Sequence, residues 1–211
     1  MKFVAVADDE QWNALTSGTT GIEWIRAEEK FSFLQHTDAD AFFMMQDNTT
    51  HRYAATTAPV FINSVTATLK ELHTPTNVMR INGWHGFLQR PVWEIAGTID
   101  SNITTIAEKL NKKIIPVKDE PGLVAAKIIA MIINEAYFAL GDNVSTEAEI
   151  DTAMKLGTNY PYGPFEWAQK ISIDAVYTLL QKLSLTDKRY LPAPALQSAI
   201  EYFDKLNTTS S

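Results

Sequence analysis

Apolar residues fall in short blocks over the first half of the chain and in helical periods over the second. Residues 2–7 form an apolar strand, and 10–15 fit a short helix. Further strand-like runs follow at 22–26, 41–45, 59–63, 79–84 and 92–96, then a helical stretch at 103–110 and a strand at 114–117. Strands interleaved with short helices predict an α/β unit with a largely parallel sheet. Gly18-Thr19-Thr20-Gly21 reads as a tight turn inside a compressed first βαβ unit.

Near residue 119 the pattern changes to helix throughout. Pro121-Gly122 is expected to open a helix that runs to about Leu140 and stops at Gly141-Asp142-Asn143. Its apolar residues, from Ile128 and Ile129 to Tyr137 and Leu140, cover most of the circumference, so the helix is buried on several sides. Thr146 and Glu149 fit a capping box before a second helix. Ser172 or Asp174 begins another that ends near Leu183, and Pro194 sits at the first position of a last one reaching about Leu206. The tail 207–211 is expected to fray. The domains expected are therefore 1–118 and 119–211. A segment of roughly 90 residues has few helices with which to cover a helix that is apolar nearly all round. A second copy of the chain supplies that cover, so a homodimer through the helical domain is expected.

Composition narrows the function. The 211 residues carry a net charge of −7, and no Lys/Arg run exceeds two residues. That excludes the electrostatic footprint of nucleic-acid binding. No apolar run reaches the ~18 residues of a membrane span. Met1-Lys2-Phe3-Val4 leads into a strand rather than a signal peptide, and a cytoplasmic location is expected. The absence of cysteine removes disulfides, thiol catalysis and cysteine-ligated metals. His36, His51 and His73 are scattered without metal-ligand spacing, so no metal is expected.

One ordered set of motifs carries the chemistry. Asp119-Glu120-Pro121-Gly122-Leu123-Val124 is followed by a helix, then by Asp151-Thr152-Ala153-Met154-Lys155-Leu156-Gly157 and Asn159-Tyr160-Pro161-Tyr162-Gly163-Pro164-Phe165-Glu166. This series resembles the C-terminal domain of the 3-hydroxyacyl-CoA dehydrogenase family, with its D-x-P-G-F-V-x-N-R and D-x-A-M-K-L-G-x-N-Y-P-M-G-P-F-E. Upstream, Val60-Phe61-Ile62-Asn63-Ser64 resembles the family strand ending in A-S-N-T-S. Arg80-Ile81-Asn82-Gly83-Trp84-His85-Gly86-Phe87 resembles R-F-I-G-x-H-F-F. The fold implied is α/β plus all-α: a truncated Rossmann-like parallel-sheet domain, then a helical dimerisation domain.

The resemblance also implies residue roles. His85 takes the position of the general base that removes the 3-hydroxyl proton as hydride passes to NAD. A glutamate orients that base. An ungapped count places Gly97 there, whereas a three-residue deletion after Phe87 places Glu94, and the gapped reading is preferred because it also brings Gly97 into register. The family serine falls on Ser64, or on Val65 with a gap. The substrate-contacting asparagine is replaced by Ala126. Acyl chain and pantetheine are expected to lie along the aromatic side chains between the domains, making an acyl-CoA-like molecule the implied ligand.

The cofactor loop departs from the family. Asp8, Glu10 and Asn13 stand where G-x-G-x-x-G has its glycines, with Asp9 between. Glycines there let a pyrophosphate reach the backbone at a helix N-terminus. Carboxylates repel it by about 1 kcal/mol each at ~4 Å in water, and by more when partly buried. Glu28 stands at the spacing of a ribose-gripping acid but reads as a solvated charge within Arg26-Ala27-Glu28-Glu29-Lys30. The expectation is a degenerate relative with no ordinary NAD binding, against the alternative of an active NAD-dependent oxidoreductase.

Overall fold

The runs Phe3-Val4-Ala5-Val6 and Ala41-Phe42-Phe43-Met44 are buried along their whole length. Unbroken apolar runs of this kind suit central strands covered on both faces. In the computed structural model, which describes residues 1–28, 35–46 and 52–209, they are the second and third strands of a seven-stranded sheet. The strands are β1 (Lys2–Val6), β2 (Glu23–Arg26), β3 (Ala41–Met44), β4 (Val60–Asn63), β5 (Val78–Ile81), β6 (Val92–Ala96) and β7 (Lys113–Pro116). Their order is β2-β1-β3-β4-β5-β6-β7. All neighbours run parallel except β5 and β6, which pair antiparallel with Ile81 opposite Ile95. β2 lies on one side of β1 and β3 on the other, so the sheet reverses its winding between β1 and β3. This is the switch point of a Rossmann-like fold.

Alternation along each strand divides the core in two. Phe3, Phe43, Phe61 and Trp93 face α1 (Asp9–Thr16) and α2 (Ser101–Lys109), with Phe43 and Phe61 stacked 4.9 Å apart. Val4, Phe42, Met44 and Ile62 face the other way, against Ala27, Tyr53 and Leu69. A one-residue slip of register would exchange the two faces.

The unit Met1–Val124 closes on a buried cation. The Arg80 side chain, on β5, is fully buried and pairs with Asp119. It also donates to the carbonyls of Ser64, Val65 and Glu120. Asp119 in turn accepts from the Leu69 and Lys70 amides. A buried guanidinium demands this full set of acceptors. Pro121-Gly122 does not open a helix as the sequence suggests. Gly122 (φ 84°) and Leu123 (φ 49°) lie in the left-handed region, and the Gly122 amide donates to Val65. Two such residues in a row interrupt an α-helix, which therefore starts at Ala125.

The described residues of the unit Ala125–Ser211 hold five α-helices: α3 (Ala125–Gly141), α4 (Glu147–Thr158), α5 (Pro164–Ile171), α6 (Ile173–Ser184) and α7 (Pro194–Thr209). The Thr146–Glu149 capping box, the Ser172 start and the Pro194 start all appear. α5 is a separate helix that the apolar pattern of the sequence does not mark. α3 packs against α5, α6 and α7, and its buried Asn134 bonds the Leu191 carbonyl and the Ala193 amide just before α7.

The long motif explains the α4–α5 corner. The first turn of α5 has no side chain at its cap, because that residue is Gly163. Asp151 of α4 supplies the missing acceptor and takes the Phe165 and Glu166 amides at 2.8 and 3.1 Å. Glu166 reaches back to the Gly163 amide and pairs with Lys155. A Cβ at position 163 would overlap the Asp151 carboxylate, so only glycine fits, and Pro164 stands at N1 where its missing amide costs nothing. Asn159 ends α4 in the left-handed region. We expect Gly163→Ala to destabilise the helical unit by about 1–3 kcal/mol and Asp151→Ala by about 1–2 kcal/mol. The double variant should cost less than their sum, because alanine at 151 removes the carboxylate that the added methyl would displace, leaving only the Cβ contact. Urea denaturation of the three variants measures this, and additive losses would contradict the shared contact.

Candidate active site at the carboxyl edge of the sheet

The chain leaves β1 at Val6 and enters α1 within three residues, so the first helix N-terminus lies directly over the carboxyl end of the central strands. That N-terminus is closed by its own chain. Asp8 is the cap: Oδ1 accepts from the Gln11 amide at 2.9 Å, and Gln11 Oε1 accepts from the Asp8 amide at 3.2 Å. This reciprocal capping box uses donors that a bound anion would need.

The same carboxylate makes a second contact. Asp8 Oδ2 lies 2.7 Å from His85 Nε2, on the segment that follows β5. Burial acts to raise the Asp8 pKa, but the Gln11 amide bond and the His85 contacts outweigh it and hold the carboxyl below its usual 3.8. Asp8 is ionised at neutral pH and places a full negative charge at the positive end of the helix.

Gln11 ties the arrangement together. Its Nε2 donates to the carbonyls of Met45 (3.1 Å) and Gly83 (2.9 Å), and its Oε1 accepts from Gln46. Asn63 performs the matching role from β4, donating to the Met45 carbonyl and accepting from the Gly83 amide, both at 3.0 Å. A Cβ on Gly83 would come within 2.7 Å of Asn63, so this approach also requires glycine. The His85 segment is thus fastened to α1 and to the ends of β3 and β4. Sequence reasoning did not single out Gln11 or Asn63. The only signal for Gln11 is its place three residues after Asp8, the capping-box spacing.

The other predicted residues stand as follows. Glu94, on β6, accepts from the Val124 amide at 2.8 Å. The Ser64 hydroxyl donates to the Ala67 carbonyl at 2.8 Å, while the adjacent Val65 is buried with its carbonyl held by Arg80. Ala126 is fully buried in α3. Glu10 and Asn13 lie within α1, and Asp9 pairs with Arg26 at 2.7 Å. His51 lies outside the described residues. Among the described residues no group of three or more His, Asp or Glu forms a metal site, and no helix is long and apolar enough to cross a membrane.

A cavity of about 430 Å³ opens beside the closed helix end, at the switch point of the sheet. It is lined by residues at the carboxyl ends of β1, β2 and β3, among them Ala7, Asp8, Ala27, Glu28 and Gln46. Arg26, also in its wall, donates twice to the Ala7 carbonyl and pairs with Asp9, so its charge is engaged. Glu28 is exposed, as expected, and stands at the rim.

Comparison with known proteins agrees with this architecture. Residues 122–209 match the family model described as 3-hydroxyacyl-CoA dehydrogenase, C-terminal domain. The chain is 39% identical over 92 residues to 3-hydroxyadipyl-CoA dehydrogenase of Escherichia coli K12, covering 43% of this chain and 19% of that protein. It is 29% identical over 151 residues to a probable 3-hydroxybutyryl-CoA dehydrogenase of Bacillus subtilis, covering 66% of this chain and 53% of that protein. The chain thus spans about half the length of such relatives or less. The crystal structure of (S)-3-hydroxybutyryl-CoA dehydrogenase PaaH1 from Ralstonia eutropha superposes with a TM-score of 0.64 at 22% identity, over 86% of this chain and 70% of that one, which shows a shared fold. Residues 122–209 are thus similar to the C-terminal domain of the 3-hydroxyacyl-CoA dehydrogenases, and the first unit shares their fold.

Proposed function

We propose that this chain is a 3-hydroxyacyl-CoA dehydrogenase-like protein of fatty-acid metabolism that has given up ordinary NAD binding and full catalysis. The observation that carries the reading is the Asp8 carboxylate, which caps α1 and holds His85. A dinucleotide needs the first helix N-terminus open to its pyrophosphate. Here that place holds an ionised side chain, with Asp9 and Glu10 following it in the first turn. A phosphate approaching it meets charge of its own sign and finds the Gln11 amide already bonded.

His85 bears on both readings. A histidine beside a carboxylate is the arrangement that tunes a base, and this favours the alternative, an active NAD-dependent oxidoreductase that converts 3-hydroxyacyl-CoA to 3-oxoacyl-CoA. Yet the carboxylate beside Nε2 comes from the cofactor loop itself. The group that would serve as base is engaged by the side chain that keeps the cofactor out. Ala126 adds to this, because its methyl cannot hydrogen-bond a substrate carbonyl. An acyl-CoA-like molecule remains the proposed ligand class for the whole protein, and the cytoplasm its proposed location.

The helical unit supports the homodimer. α3 leaves Ile128 54% exposed and Phe138 38% exposed, with Met131 and Ile132 half-covered between them, and Leu156 of α4 is 82% exposed. Glu135 is the one charged, exposed residue among them, and exposed apolar surface of this kind on an otherwise buried helix calls for a cover. A second copy provides one.

Two measurements follow. Titration calorimetry with NAD should show no saturable heat, and a dissociation constant in the micromolar range would overturn the non-binding reading. Light scattering should return twice 23.6 kDa for the wild-type chain and 23.6 kDa for Ile128→Asp. A monomeric wild type would refute the dimer.

A further inference from the structure

One side chain in the segment that carries His85 stands apart from its neighbours. Asn82 follows the last residue of β5 and is 8% exposed. Its Oδ1 accepts from the Trp84 amide at 3.2 Å. Its Nδ2 is buried and, among the described residues, has no acceptor. Gln11 and Asn63, at the same end of the sheet, place their amide donors on the Met45 and Gly83 carbonyls. A buried NH2 without an acceptor gives up its bonds to water, so it destabilises the state that buries it. Packing does not ask for an amide here, since the R-F-I-G-x-H motif that this stretch resembles has isoleucine at the position of Asn82.

The contacts that oppose this penalty come from three places. Gln11 of α1 holds the Gly83 carbonyl at 2.9 Å, Asn63 of β4 holds the Gly83 amide at 3.0 Å, and Asp8 holds His85 at 2.7 Å. The far end of the segment is pinned separately: the Leu88 carbonyl accepts from Trp93 Nε1 at 2.9 Å and from Lys112 Nζ at 2.8 Å. Gly83 and Gly86 lie between the two anchors, Gly86 with φ 88°, and glycine supplies the backbone freedom of a hinge. We propose that residues 82–86 form a latch, closed by Gln11, Asn63 and Asp8 and biased toward opening by the buried amide of Asn82. In the open form Asn82 Nδ2 reaches water and His85 leaves the Asp8 carboxylate. Asp8 Oδ1 keeps the Gln11 amide, so α1 stays capped. This rests on the reading that Asp8 both caps α1 and holds His85, and goes beyond it in making only the second contact reversible.

Amide hydrogen exchange of the full chain, followed by NMR, reads the latch. The Gly83 amide, bonded to Asn63, should exchange at least about tenfold faster than the Phe42 amide, bonded to the Pro59 carbonyl inside the sheet, as local opening requires. Asn82→Thr drops the NH2 and keeps an oxygen for the Trp84 amide, and should slow Gly83 by about tenfold. His85→Ala cuts one fastener and should speed it. Gly83 exchanging no faster than Phe42, or an Asn82→Thr variant with unchanged or faster exchange, would overturn the proposal. A Gln11 amide that stays slow while Gly83 fails these tests takes down this inference alone. A Gln11 amide that exchanges as fast as Gly83 would mean that the cap opens with the latch, and the reading of a closed cofactor loop would fall with it.

Discussion

The carboxylate of Asp8 is the constraint on which the N-terminal unit turns. A helix N-terminus must satisfy its first amides with something. In a dinucleotide-binding fold the ligand's phosphates can do this, and glycines keep the approach clear. Here an aspartate at the first of those positions does it within the chain. Once the side chain is present, the rest follows from local chemistry. Gln11 returns the capping bond and spends its amide on Met45 and Gly83. The second Asp8 oxygen meets His85. Helix, sheet edge and histidine segment become one hydrogen-bonded body with its charges paired internally.

The helical unit uses the same device for another end. Asp151 caps α5 from a neighbouring helix, as Asp8 caps α1 from its own chain. The difference lies in what the geometry needs. At α5 a glycine must stand at the cap so that the foreign carboxylate can enter, and a proline after it removes an amide that would go unmet. The long motif that this chain shares with the matched C-terminal domain is therefore an account of one helix corner. It bears on folding and not directly on chemistry. Arg80 and Asp119 belong to the same class: residues inside recognisable motifs whose work is to hold β5 to the segment after β7.

Much of the fold was legible because its signals are local. Phe3 to Val6 and Ala41 to Met44 are apolar at every position, which suits a strand buried on both sides. The Thr146 box and Pro194 mark helix starts within four residues of themselves. The start of α3 is not legible in the sequence because Pro121-Gly122 is as good a helix opening as it is a turn, and the Gly122 amide bonds the Val65 carbonyl, a partner distant in the chain. α5 escaped notice because its cap comes from Asp151, twelve residues away. At the candidate site, the substitution of the glycines could be read directly. The partnership of Asp8 with His85, 77 residues apart, could not. Position along the chain says that a carboxylate is present, and only the fold says which side chain it meets.

The central claim is that the amide at the third position of α1 is already satisfied by Asp8. Amide NMR of the full chain, titrated with inorganic pyrophosphate, examines that donor directly. The Gln11 resonance should stay in place in the wild type as the anion is added. A saturable shift of the Gln11 amide, with Asp8 intact, would mean that the helix end is open to phosphate and would contradict the account.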